Sequence, residues 1–66
     1  MQIFINDQPI ECQEKSTISS LLEQENIHPF NIAVALNNSV IPKAQWDQTE
    51  VTAGSQIIII KAVQGG

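Results

Sequence analysis

The residues of this 66-residue chain best suited to chemistry are its last two, Gly65 and Gly66, in the terminal sequence KAVQGG. Glycine loses more backbone freedom on folding than any other residue, so a fold gains nothing from ordering two of them at its end. A terminal carboxylate is a poor electrophile until one of its oxygens becomes a leaving group. The two glycines therefore indicate either a C-terminus that takes part in chemistry or one that is simply frayed. The other residues of the chain must distinguish these alternatives.

The remaining side chains form no recognisable catalytic pair. Cys12 is the single cysteine, which excludes an internal disulfide, a four-thiolate cluster and a CxxC redox motif, and we expect a packed, inert thiol. His28 is predicted to be a loop histidine, because no general base or metal site is visible around it. Trp46 is predicted to pack over an irregular segment with its indole N–H facing water. We therefore expect a protein that is not itself an enzyme.

Composition limits the possible partners. Residues 1–66 suffice for one small domain, and 42% hydrophobic with 15% charged residues is typical of a globular one. Seven acidic residues against three lysines give a net charge of -4, the wrong sign for binding nucleic acid. The acidic residues either form an ordinary solvated surface or steer the protein toward a basic partner. No signal peptide or membrane-spanning stretch is apparent, so we expect no membrane partner and a cytoplasmic location.

The elements that would present the tail follow from the hydrophobic pattern. Alternation in MQIFIN and PIECQ around a polar turn predicts a hairpin, and the spacing of Ile18, Leu21 and Leu22 predicts a helix capped by a hydroxyl residue. The run QIIIIKAV predicts a central strand. In order, we expect a β-hairpin over 1–13, a helix over about 17–26, a strand over 31–37, an irregular stretch over 38–55 and a strand over 56–63.

This order resembles the ubiquitin-like β-grasp, an α+β fold with a mixed sheet of four to five strands and one main helix packed on one face. The opposite face of the sheet, here called the open face, would then lack a cover. Placing Lys61 in water assigns Ile57 and Ile59 to the open face with it, and Ile58, Ile60 and Ala62 to the helix side.

A patch of Phe4, Ile57 and Ile59, rimmed by Gln2 and Lys61, would follow from this assignment. It is either ordinary apolar surface or a docking site for another protein. We favour docking, because the tail lies on the same strand.

Two longer stretches, AVALNNSVIPKAQW and AGSQIIIIKAVQGG, resemble the bacterial sulfur carrier proteins of thiamine biosynthesis over essentially the whole chain. Lys43 and Ser55 depart from the arginine and aspartate expected there. The resemblance implies that an E1-like adenylyltransferase activates the Gly66 carboxylate as an acyl-adenylate. Conversion to a thiocarboxylate, with sulfur from a sulfur-donating enzyme, would then supply thiazole synthase.

The same resemblance implies that the chain itself binds no cofactor, since ATP and Mg would be used by the activating partner. Gly65 and Gly66 suit a narrow channel beside a nucleotide, because residues without a Cβ allow close backbone approach. Val63 and Gln64 would be the spacer. With Phe4, Ile57, Ile59 and Lys61, they complete the predicted partner-binding set.

Two other functions fit the same pattern. The small subunit of molybdopterin synthase is also a β-grasp protein ending in Gly-Gly, although it is typically longer, and the VIPKAQW stretch favours the thiamine branch. A ubiquitin-like binding module with an inert tail is the alternative from a different class.

Overall fold

The computed structural model describes residues 1–61, so the predicted end of the last strand and the tail lie outside the described residues. Five strands form one mixed sheet in the order β2-β1-β5-β3-β4, with β5 parallel to β1 and antiparallel to β3. One main helix packs on this sheet, and the predicted β-grasp architecture is confirmed. The elements are β1 (Gln2–Ile5), β2 (Gln8–Glu11), α1 (Ile18–Gln24), β3 (Ile32–Leu36), β4 (Ser39–Val40), a short 3-10 helix (Lys43–Gln45) and β5 (Gln56–Lys61).

Two tight turns close the hairpins at both edges of the sheet. Asn6 and Asp7 have φ values of 49° and 68° between β1 and β2, and Asn37 and Asn38 have 49° and 73° between β3 and β4. Left-handed backbone at both central residues is what a two-residue type I′ hairpin turn requires. Asparagine and aspartate tolerate this conformation better than other residues with a side chain. The predicted turn of the first hairpin is therefore confirmed, and the residue types explain both turns.

Helix α1 is fixed at both ends by local hydrogen bonds. Thr17 caps its start, in a reciprocal capping box with Ser20. At its end Asn26 takes a φ of 57°, and the Ile27 amide donates to the Leu22 carbonyl at 2.8 Å, which is the Schellman arrangement. These caps confine the helix to seven residues, shorter than the predicted 17–26.

The core lies between α1 and one face of the sheet. Ile3, Ile18, Leu21 and Val34 are the largest fully buried side chains. Trp46 is also buried, as predicted, but its indole N–H donates to the Ile41 carbonyl at 2.8 Å. The prediction that this N–H faces water is wrong, because a tryptophan buried on the core side needs a protein acceptor for its donor.

The facing of β5 is the reverse of the prediction. Ile57 lies opposite Leu36, and Ile59 lies opposite Val34, so both point into the core with those residues. Ile57 is only 2% exposed, and Ile59 packs against the core from its margin. Ile58 and Ile60 therefore point to the open face, where Ile60 is 60% exposed.

The exposure of Lys61 led to the wrong facing for β5, because α1 is shorter than this strand and leaves its end uncovered. A seven-residue helix spans about 10 Å, whereas the six residues of β5 span about 20 Å. Lys61 does share a face with Ile57 and Ile59, and it is exposed near His28 and Phe30, with which it lines a shallow depression. A residue can thus lie on the core face and still reach water at the end of a strand.

The revised facing predicts unequal effects for two isoleucines on one strand. We expect Ile57→Ala to lower the free energy of unfolding by about 2–5 kcal/mol, because it leaves a cavity in the core. Ile60→Ala is expected to cost less than about 1 kcal/mol, since the side chain is already mostly in water. Urea denaturation of both variants measures the difference. Equal losses, or a larger loss for Ile60→Ala, would restore the original facing.

Candidate docking surface

The open face of the sheet carries a contiguous apolar cluster. Cross-strand register places Ile58 opposite Ala35 and Ile60 opposite Ala33, while Val40 lies on the other side of Ala35. Phe4 of β1 lies on the same face, opposite to buried Ile3 and Ile5; its register partner on β5 is Gln56, and Ile58 is its diagonal neighbour. We call this set the open-face cluster: Phe4, Ala33, Ala35, Val40, Ile58 and Ile60.

Small and large residues alternate across this cluster. The alanines of β3 leave the isoleucines of β5 standing above them, so Ile60 is 60% exposed and Val40, on the edge strand, is 73% exposed. Ile58 and Phe4 are half-buried between their neighbours. The low alanines between the larger side chains form shallow depressions in which apolar side chains of another protein can pack.

Charge is absent from the middle of this surface. Among the described residues, no member of the open-face cluster is ionisable, and Glu11 lies at the rim, opposite Gln2. The Glu11 carboxylate is 3.6 Å from the amino group of Met1. Depletion of charge at the centre with polar residues at the rim is typical of protein interfaces. A contiguous apolar patch on a small domain commonly marks such an interface.

Three predicted site residues occupy positions different from those expected. Phe4 lies on the open face, as predicted. Ile57 and Ile59 do not, since they belong to the core and its margin, and Lys61 lies near the end of α1, away from the cluster. Val63, Gln64, Gly65 and Gly66 lie outside the described residues.

Ile58 and Ile60 are the residues that the sequence interpretation missed. The available signal was the alternation of β3 in the sequence IAVAL, which puts its alanines on the face opposite Ile32, Val34 and Leu36. A row of small residues needs large neighbours on the adjacent strand to make a continuous surface. That signal identifies the face of β3, but the register with β5 is needed to extend it.

Other candidate chemistry within residues 1–61 is sparse. Cys12 is buried, as predicted, and His28 lies exposed in a loop. In this part of the chain, His, Cys, Asp and Glu form no group of three or more able to hold a metal ion. None of the described helices has the length and apolar character needed to cross a membrane.

Comparison with known proteins identifies a family to which the sequence is similar. The model of the ThiS family matches residues 3–66. The sulfur carrier protein ThiS of Escherichia coli (strain K12) is 38% identical over 66 residues, which cover all of both chains. The uncharacterized protein ycf40 of Porphyra purpurea is 27% identical over 66 residues, which cover all of this chain and 93% of that protein.

Solved structures agree on the fold. The crystal structure of the thiamine biosynthesis protein (ThiS) from Geobacter metallireducens matches with a TM-score of 0.87 at 23% identity, with all of both chains covered. A solution structure of a thiamine biosynthesis protein from the same organism matches with a TM-score of 0.77 at 23% identity, covering all of this chain and 88% of that one. The family model covers nearly every residue of this chain, and the Escherichia coli protein is 38% identical to it over the full length of both chains. The chain therefore belongs to the ThiS family, the sulfur carrier proteins of thiamine biosynthesis.

Proposed function

We propose that this sulfur carrier works through the carboxylate of Gly66. An oxygen of that carboxylate attacks the α-phosphorus of ATP in an E1-like adenylyltransferase, and pyrophosphate leaves. A sulfur nucleophile at the oxidation level of hydrosulfide, supplied by a sulfur-donating enzyme, then attacks the acyl carbon and AMP leaves. The product is a thiocarboxylate, whose sulfur passes to thiazole synthase. ATP and Mg belong to the activating partner, and this chain supplies the acyl group.

The observation that carries the proposal is the extent of the family match. The ThiS model runs through residue 66, so Gly65 and Gly66 fall within the matched region. The chemistry favours glycine there for a physical reason. A backbone that passes through a narrow channel to the α-phosphate is obstructed by a Cβ, and glycine has none.

The open-face cluster gives the partner a binding surface that includes the strand leading to the tail. Ile58 and Ile60 belong to β5, and Gly66 follows Ile60 by six residues. Six extended residues reach about 20 Å, enough for a partner bound at the open face to receive the carboxylate at a separate active site. We therefore assign docking to the open-face cluster and chemistry to the tail.

The decisive experiment is the intact mass of the protein purified from cells growing without thiamine. We expect a fraction of the protein to be heavier by the difference between one sulfur and one oxygen atom, because the thiocarboxylate accumulates when the pathway is running. Mass spectrometry of the C-terminal peptide locates the change. A variant lacking Gly66, expressed in the same cells, is the control. Absence of the heavier species from the wild-type protein under these conditions would count against the proposed chemistry.

Deleting Gly66 should separate chemistry from folding. We expect the melting temperature to stay within about 1 °C of wild type, because glycine has no side chain to contribute to a core and chain termini tolerate change well. Adenylation, followed as ATP–pyrophosphate exchange with the partner enzyme, should be abolished. Gln48→Ala, at an exposed position outside the tail and the open-face cluster, keeps both glycines; it is the control and should remain a substrate. A marked loss of stability on deletion would instead identify the tail as packed structure.

Charge placed on the open face should weaken docking more than folding. We expect Ile60→Asp and Phe4→Asp to reduce affinity for the adenylyltransferase at least about tenfold, because the carboxylate would be desolvated without a partner. The cost in the free protein should be about 1 kcal/mol or less for Ile60→Asp, whose side chain is already mostly exposed. Titration calorimetry and urea denaturation measure the two quantities.

Gln48→Asp is the control for this experiment, since it introduces a charge at an exposed position beyond the 3-10 helix. We expect unchanged affinity for this variant. Equal loss of affinity in all three variants would show that net charge, and not the open-face cluster, governs association.

A further inference from the structure

Strand β5 continues past the point where its neighbour β1 turns away. The Phe4 amide donates to the Ser55 carbonyl, and the Asn6 amide donates to the Ile57 carbonyl, each at 2.9 Å. In a parallel ladder the next bond would run from the Ile59 amide to the backbone carbonyl of Asn6. The chain, however, enters the hairpin turn at Asn6, so Ile59 loses its backbone partner on this side.

The side chain of Asn6 replaces this missing bond and adds a second bond to Ile59. The Ile59 amide donates to Asn6 Oδ1 at 2.9 Å. Asn6 Nδ2 in turn donates to the Ile59 carbonyl at 3.3 Å. One carboxamide thus acts as an additional peptide group at the end of β1. On the other side of β5, β3 continues to pair through Ile60 and Lys61, so Asn6 holds the strand where the first neighbour ends and the second continues.

A second asparagine holds the opposite end of β5 with one side-chain bond and one backbone bond. Asn37 Oδ1 accepts from the Gln56 backbone N–H at 2.9 Å, and the backbone N–H of Asn37 donates to the Gln56 carbonyl at 2.8 Å. Asn37 also begins a hairpin turn, with the same φ of 49° as Asn6. The two residues share conformation and chemistry but hold opposite ends of the strand, and only Asn6 lies near the end that leads to the tail.

We propose that Asn6 is a positioning residue for the reactive tail. By holding Ile59 it fixes the direction in which β5 leads on toward Gly66, so that the docked carrier presents its carboxylate to the activating enzyme. The role rests on the proposed function of Gly66 and acts through the strand, since Asn6 bonds the backbone of Ile59, seven positions before Gly66. Without this hold, a smaller fraction of molecules would have the competent strand direction. The apparent affinity for the activating enzyme falls in proportion to that fraction.

Two matched glycine variants test the role, Asn6→Gly and Asn37→Gly. Glycine adopts the left-handed turn conformation without strain, so each variant keeps its turn and loses its carboxamide. For Asn6→Gly we expect hydrogen exchange at the Ile59 amide to accelerate about tenfold. KM for the carrier in the adenylation reaction should rise about three- to tenfold with kcat unchanged, because the defect precedes the chemical step. For Asn37→Gly we expect faster exchange at Gln56 and an unchanged KM.

Asn6→Asp provides a second variant that keeps both the turn and an acceptor for the Ile59 amide. It should retain slow exchange at Ile59 and show a smaller rise in KM than Asn6→Gly. Equal KM values for Asn6→Gly and Asn37→Gly, with the wild-type carrier active, would overturn the positioning role alone, as would unchanged exchange at Ile59 in Asn6→Gly. A wild-type carrier that is not adenylated would overturn the proposed function and this role with it.

Discussion

A helix of seven residues has to form the core with a sheet of five strands, and the arrangement of the molecule depends on this mismatch. One face of the sheet can be covered, so Ile3, Val34 and Ile57, from the three central strands, are buried there. The other face stays in contact with solvent and carries the open-face cluster. Because the cover is also short, the last residues of β5 emerge from it, and the strand that helps to build the core leads out of it to the tail.

The local elements were predictable because their signals are local. An Asn-Asp pair and an Asn-Asn pair at the two hairpin turns, a hydroxyl residue before the helix and the large-small alternation of β3 each determine structure within a few residues. Four consecutive isoleucines carry no alternation of their own, so the facing of β5 could not be read from them. It is set by register with Ile5 and with Leu36, which are distant in sequence. The assignment relied on Lys61, and the position of this residue at the strand end made it misleading.

The polar contacts that stabilise β5 were also beyond sequence reasoning. Asn6 and Ile59 are 53 positions apart, and nothing near either residue indicates that an amide side chain will replace a backbone bond. The acceptor for the indole of Trp46 is similarly defined only after the 3-10 helix folds back on Ile41. An apolar patch on the open face was therefore predicted with only some of its residues. Phe4 lies there as predicted, whereas Ile58 and Ile60 lie there instead of Ile57 and Ile59. The chemistry proposed for the tail differs in this respect, because its prediction rests on residue type and needs no strand register.

The use of an asparagine carboxamide to complete the sheet makes this part of the sheet sensitive to deamidation. Asparagine is a thermolabile residue, and proteins from hyperthermophiles contain fewer of them. Loss of the amide nitrogen from Asn6 would replace the donor to the Ile59 carbonyl with a carboxylate oxygen, which repels that carbonyl. The Ile59 amide would still find an acceptor, and the core would be untouched. Under the role proposed for Asn6, a chemically aged carrier would keep its fold and its docking surface while delivering its carboxylate less accurately, a form of damage that a measurement of stability alone would miss.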